Sequence, residues 1–336
     1  MSILGFVSRR PLVALGAAAG LWWLWPASSP PPAPARAQAA VLADGFAATA
    51  GGGRIALFGD EAERRREIAV RAAPPGARVV GVAGRVGLVW RDGKQVAVGV
   101  VADDGHLEGV SRFGKRVASM CEGVATNERQ FGAAWFEADG SIWFVHGPTS
   151  PQGATESAGE APGPTAELLA EPAKADSCAI ASAHDKLALL FTEGSRTTLV
   201  LCGRRCEGAR RVELPRKSAV LGLGCTRGGC AIATRGEGGA TQATWVTPQG
   251  RAQWTKPLPH ASPDTQVSLA GTGAQVAIAY ATANEPVVVT VSPGGAIATV
   301  WQGAGDGVPS VVHAAGRLLV ARSVDGELTA SLVRAP

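Results

Sequence analysis

Gly87-Leu-Val-Trp90, Arg91-Asp-Gly93, Gln95-Val-Ala-Val-Gly-Val-Val101 and Asp103-Asp-Gly105 follow one another almost without interruption. Apolar blocks bounded by Asp-Gly pairs are the pattern of strands packed between other sheets and joined by tight turns that need positive φ at the glycine. Variants of this module recur down the chain. Apolar middle strands are expected at Ile55–Phe58, Leu88–Trp90, Gly132–Trp135, Leu187–Phe191, Cys230–Ala233, Val276–Tyr280 and Leu318–Ala321. From Leu88 onward they are spaced by about 42–46 residues, with one interval near 55, which suits four-stranded propeller blades. The first interval, about 33, suggests a unit that lacks a strand and leaves the count at seven or six.

Each middle strand follows a segment of small residues, such as Val79–Ala83, Ala179–Ser182, Val220–Gly224 and Val267–Ala270, as a crowded inner strand requires. More polar third strands are expected at Ser141–Val145, Thr198–Leu201, Gln242–Val246 and Pro286–Thr290. Outer strands at Leu107–Phe113, Ala209–Leu214, Arg251–Trp254 and Ala296–Trp301 mix charged and aromatic residues, as exposed edges do. The last unit ends at Glu327–Val333, and Ala39–Ala43 is expected to supply its missing strand and close the ring. The fold class is therefore all-β, a β-propeller of about seven four-stranded blades. Two packed sheets, the alternative, would have no reason to repeat at this period. Residues 148–164 read as a low-complexity insertion loop within a propeller domain spanning 39–336.

Composition agrees: 18% charged and 46% hydrophobic residues with 44 Gly and 22 Pro fit many short strands and turns rather than helical bundles or a disordered chain. No acid precedes Asp44, so the net charge of +4 is mostly a property of the N-terminus; without Arg9, Arg10 and Arg36 the balance is 29 basic to 28 acidic. A nearly neutral domain argues against nucleic acid as a partner.

Arg9-Arg10, an apolar run from Leu12 to Trp25, and small-x-small sites at Ala35/Ala37 and Ala37/Ala39 have the layout of a secretory signal. Residues 1–38 are thus expected to direct export, to the periplasm or the outside of the cell. Ser8–Val13 also resembles a twin-arginine signal, though Pro11 departs from that pattern. The alternative is an uncleaved anchor in which residues 12–25 hold the protein to the inner membrane, the sole membrane contact expected.

The recurring Gly-x-x-Trp and Asp-Gly pattern, from about residue 40 to the end, resembles the secreted bacterial β-propeller repeat proteins as a class. It lacks the Trp-Asp dipeptide, the double-glycine kelch signature and the alternating aspartates of calcium-binding propellers. Gly250–Trp254 resembles one repeat end of quinoprotein propellers, but a single copy carries no quinone across, and no cofactor is expected. The resemblance implies a fold and leaves the activity open.

Six cysteines, all beyond the export segment, suggest an oxidising compartment. Cys225 and Cys230 bracket an inner hairpin and are the best candidate pair. Cys202 and Cys206 bracket the outer hairpin one unit earlier. Cys121 and Cys178 occupy similar places on successive inner strands and either bridge adjacent blades or remain free. A zinc site from Cys202, Cys206, Cys225 and Cys230 is the alternative, although it would have to span two blades. His106, His146, His184, His260 and His313 are scattered, without metal-ligand spacing, and no metal is expected.

No nucleophile elbow or phosphate loop is present in the sequence. Glu122, Asp176 and Asp264 fall near the starts of inner strands and could converge at the channel mouth, as in propellers that act on carbohydrates or lactones. Arg204, Arg205, Arg210, Arg211, Arg216 and Lys217 form the densest basic cluster, either edge protection or a patch for anionic envelope polymers. These features favour an exported, non-catalytic module that binds a protein or envelope polymer over a hydrolase or lyase.

Overall fold

A computed structural model describes residues 37–335, except 43–44, 50–52, 60, 72, 75, 127–129, 149–163, 171–174, 184–185, 195, 203–205, 213–218, 237, 264, 306, 315 and 325–326. Of the export segment expected over 1–38, residues 1–36 lie outside the described residues and Gln38 already belongs to a strand; of the insertion expected over 148–164, residues 149–163 lie outside them and Pro148 ends a strand. What is described is all β, in seven antiparallel sheets arranged as the blades of a ring.

Blade one is β1 (Gln38–Leu42), β2 (Gly45–Thr49), β3 (Arg54–Phe58) and β4 (Arg64–Ala69). Blade two is β5 (Arg78–Val82), β6 (Arg85–Asp92), β7 (Gln95–Val101) and β8 (Leu107–Phe113). In blade three the inner position is shared by β9 (Val117–Met120) and β10 (Ala125–Thr126), both paired to β11 (Gln130–Glu137), followed by β12 (Ile142–Pro148) and β13 (Thr165–Ala170). Blade four is β14 (Ala175–Ala183), β15 (Lys186–Glu193), β16 (Arg196–Cys202) and β17 (Cys206–Val212). Blade five is β18 (Ala219–Thr226), β19 (Gly229–Arg235), β20 (Thr241–Val246) and β21 (Ala252–Pro257). Blade six is β22 (Val267–Thr272), β23 (Gln275–Ala281), β24 (Pro286–Val291) and β25 (Ile297–Gln302). Blade seven has three described strands, β26 (Ser310–Ala314), β27 (Arg317–Val324) and β28 (Glu327–Arg334).

The apolar blocks are explained by burial on both faces. Leu88 and Trp90 pack with blade one, whereas Val89 between them packs with blade three. Alternation thus divides apolar residues between two neighbours instead of between core and water. The seven hydrophobic clusters correspond to the seven blade junctions, the last joining Ala39, Val41, Phe46 and Phe58 to Leu319 and Ala321. Both Asp-Gly turns of the opening stretch have the expected geometry, with φ of 60° at Gly93 and 85° at Gly105.

Two expectations are corrected. Ala39–Ala43 does not complete the last blade: β1 pairs with β2 as the innermost strand of blade one. Ile55–Phe58 is the third strand of that blade, and the second, equivalent to Leu88–Trp90, is Gly45–Thr49. The short first interval was therefore measured from a third strand to a second. Blade one is complete, and it is blade seven that has three strands among the described residues.

Candidate functional site

Each blade directs the free edge of its first strand toward the axis, and these edges enclose a central cavity of about 560 Å³. Its side chains are mostly small or aliphatic, among them Ala39, Ala181, Leu221, Ala270 and Val312. Four ionisable residues join them: Arg78, Glu122, Arg227 and His313.

The inner strand of blade three is broken where Glu122 lies. Cys121 still donates to Ala134 O (2.9 Å), but Glu122 pairs in parallel with Ala179, its N–H donating to Cys178 O (2.8 Å) and its carbonyl accepting from Ile180 N–H (2.9 Å). Gly123, at φ 79°, makes the turn back toward β10; a Cβ there would lie 2.9 Å from Ile180 O. Cys121 and Cys178 are joined across the same junction, Cα–Cα 4.8 Å. Arg78 reaches it from blade two, its guanidinium donating to the carbonyls of Cys121 and of Gly123, the latter at 2.6 Å.

Arg78 occupies a recurring position that sequence reasoning missed. Gln38, Arg78, Ser268 and Ser310 each stand four residues before the inner hairpin of their blade. Ser268 Oγ accepts from Val311 N–H of the next blade (3.1 Å), and Ser310 Oγ accepts from Ala39 N–H (3.2 Å), joining blade seven to blade one. These hydroxyls satisfy amides that an inner edge would otherwise leave unpaired. The Gln38 side-chain amide oxygen, Oε1, is buried without a partner among the described residues.

Of the three candidate acids, Glu122 is exposed and lines the cavity. Asp176 is the bulge residue between Ala175 and Ser177 on β14, and Asp264 lies outside the described residues. The side chain of Asp176, like Asp264, lies outside what the structure describes, and Glu122 is the carboxylate among the described lining residues. Cys225 and Cys230 are bonded to one another across their hairpin, Cα–Cα 4.0 Å. Cys202 and Cys206 are register partners across β16 and β17. Arg210 and Arg211 belong to β17; Arg204, Arg205, Arg216 and Lys217 lie outside the described residues.

Of the histidines, His106 bridges Asp104 and Glu108 on the surface of blade two, the latter at 3.2 Å. The hydrogen bonds from His106 hold the Asp104 carboxyl below the usual carboxylate range. His146 meets Glu167 at 3.3 Å and stacks on Phe144; His184 lies outside the described residues. No group of three potential metal ligands occurs among the described residues.

The arrangement is that of a seven-bladed β-propeller whose channel is walled by backbone and small side chains. The chain is similar to a catalytically inactive virginiamycin B lyase from Staphylococcus aureus solved with quinupristin: 13% identity, 86% of this chain and 90% of that one, TM-score 0.52. It is similar also to the Dos1 propeller (10% identity, 90% and 94% covered, TM-score 0.52) and to the N-terminal part of BBS1 solved in complex with ARL6 (10% identity, 87% and 87% covered, TM-score 0.51). No protein-family model and no curated protein matches the sequence. At these identities the likeness is one of fold alone.

Proposed function

We propose that this protein is an exported, non-catalytic propeller serving as a protein-interaction module in the cell envelope or outside the cell. The observation that carries the proposal is the channel wall: side chains are small or aliphatic, and Glu122 is the one carboxylate among its described residues. Glu122 and His313 are the groups of this wall suited to acid or base work, and backbone and aliphatic side chains make up most of the rest of it. A rigid ring whose loops vary without disturbing its core is suited to partner recognition. The BBS1 propeller, similar in fold, was solved with a protein bound. Two bonded cysteine pairs support an oxidising compartment.

Two measurements test this. The intact mass of the protein from fractionated cells should lack the first 37 residues, which leaves β1 whole, and be found in the exported fraction; a full-length cytoplasmic chain would refute export. Photo-crosslinking from loop positions on the ring, in living cells, should give a discrete protein adduct. Turnover of glycosides or lactones that Glu122→Gln abolishes would replace the proposal with the enzyme reading.

A further inference from the structure

Blade seven differs from the other six at its outer edge. Ala335 N–H donates to Gly316 O (3.2 Å), continuing the register in which Arg317 faces Arg334. In an antiparallel pair the bonded residues alternate. The odd-numbered residues of β28 are therefore those bonded to β27, and Leu328, Ala330, Leu332 and Arg334 turn their N–H and C=O groups outward. Among the described residues no strand takes these groups up. In the other blades a fourth strand does.

The side of this position toward blade one carries charge. Leu328, Ala330 and Leu332 pack toward blade one, so Arg334 in the same alternation lies on that side. On blade one, Ala56 and Phe58 face blade seven, and their register partners Glu67 and Arg64 share that face with Arg54. Arg54 lies 3.7 Å from Glu67 with 77% of its side chain exposed, and Arg64 also contacts Glu67. Arg54 and Arg64 on the face of blade one turned to blade seven, together with Arg334, set three arginines against one glutamate.

We propose that the outer edge of β28 is a docking site for an extended segment of a partner protein. The segment adds antiparallel as the fourth strand of blade seven, with acidic residues at alternate positions facing Arg54, Arg64 and Arg334. Backbone bonds to Leu328, Ala330 and Leu332 supply the pairing, and the arginines select the acidic side chains. This rests on the interaction reading above but fails separately from it.

The test uses the intact purified protein and a fluorescent synthetic peptide alternating Glu with Val. It should bind, and a Lys-for-Glu peptide should bind at least about tenfold more weakly. Ala330→Pro removes an outward N–H at an edge position where proline is tolerated, and should lower affinity about tenfold with the melting curve preserved. Should that variant fold poorly, Arg64→Glu with Arg334→Glu provides the independent check and should lose preference for the acidic peptide. In hydrogen exchange the Leu328, Ala330 and Leu332 amides should be unprotected in the free protein and protected with peptide. Protection of those amides in the free protein would show the edge already filled, by another segment of this chain or a second copy, and would overturn the proposal. So would equal binding of both peptides, or undiminished binding to Ala330→Pro. A partner crosslinked at the ring faces with β28 unprotected would leave the interaction reading standing and remove this one.

Discussion

Removing the two cysteine bridges should have unequal effects, because they close loops of very different length. Cys121 and Cys178 are 57 residues apart, and Cys225 and Cys230 are 5 apart. In the chain-entropy account, a bridge closing the longer loop stabilises by about 4 kcal/mol, and one closing the shorter by about 2 kcal/mol. With an unfolding entropy of about 2.1 cal/mol/K per residue over roughly 300 residues, each kcal/mol shifts the melting temperature by about 1.6 °C. Cys121→Ala with Cys178→Ala should therefore lower it by roughly 6 °C, and Cys225→Ala with Cys230→Ala by roughly 3 °C. All four sulfurs are buried, so the lost packing is of similar size in the two variants and does not reverse the order. Differential scanning calorimetry on the oxidised protein measures both. Equal losses, or a larger loss at the short hairpin, would refute the reasoning that the bridge between blades three and four restrains the unfolded chain.

The remaining predictions concern single residues. Ser310→Ala leaves the buried Ala39 N–H without its acceptor and should cost about 1–3 kcal/mol, read from urea unfolding. Gly271→Ala places a Cβ 1.8 Å from the Cys225 carbonyl oxygen, backbone against backbone, and should destabilise by about 1–3 kcal/mol. Tyr280 is the single tyrosine, so absorbance at alkaline pH reports it alone. Burial pushes its hydroxyl up to about 12, while its O–H donates to Pro259 O at 2.9 Å. The unfolded chain ionises this group near pH 10 and the folded one near 12, so stability present below pH 10 is lost across that window. A tyrosinate signal with a midpoint near 10 in the folded protein would contradict this.

The sequence was most informative where a strand is buried on both faces. Leu187–Phe191 and Val276–Tyr280 are apolar at successive positions because each side has a neighbouring blade, and such blocks stand out from any background. Blade one is harder to place because Gly45-Phe-Ala-Ala-Thr49 is a weaker block than Ile55-Ala-Leu-Phe58. A unit counted from its third strand is short at the front and leaves Ala39–Ala43 over for the last blade. A correcting signal was present: Ala39, Ala40 and Val41 have the small side chains that mark inner strands elsewhere in the chain. The inter-blade contacts of Arg78, Ser268 and Ser310 were much less legible. A lone arginine or serine at a strand start ordinarily reads as solvated, and only the register of the hairpins shows that these residues share a position. Convergence of Glu122, Asp176 and Asp264 was a matter of spatial placement, which spacing along a chain does not determine.

The seam between blades seven and one unites the corrected topology with the vacant edge. The other six junctions are crossed by the chain itself, and that between blades three and four is bridged as well. Among the described residues no strand is shared between the termini at the seam, which is held by apolar packing and by Ser310 with Ala39. Unfolding that begins locally should begin there, since fewer interactions must break to open it. An acidic strand seated on β28 would pair with blade seven through its backbone and with Arg54 and Arg64 of blade one through its side chains, touching both sides. Binding of this kind favours the closed ring over the opened one by RT ln(1 + [L]/Kd), about 2.7 kcal/mol at a hundredfold excess over Kd. Saturating peptide should accordingly slow exchange at the amide of Ala39, beneath the seam, as well as at β28. An edge that binds without closing the ring would protect β28 alone, which separates a passive docking strip from a device in which the partner completes the fold.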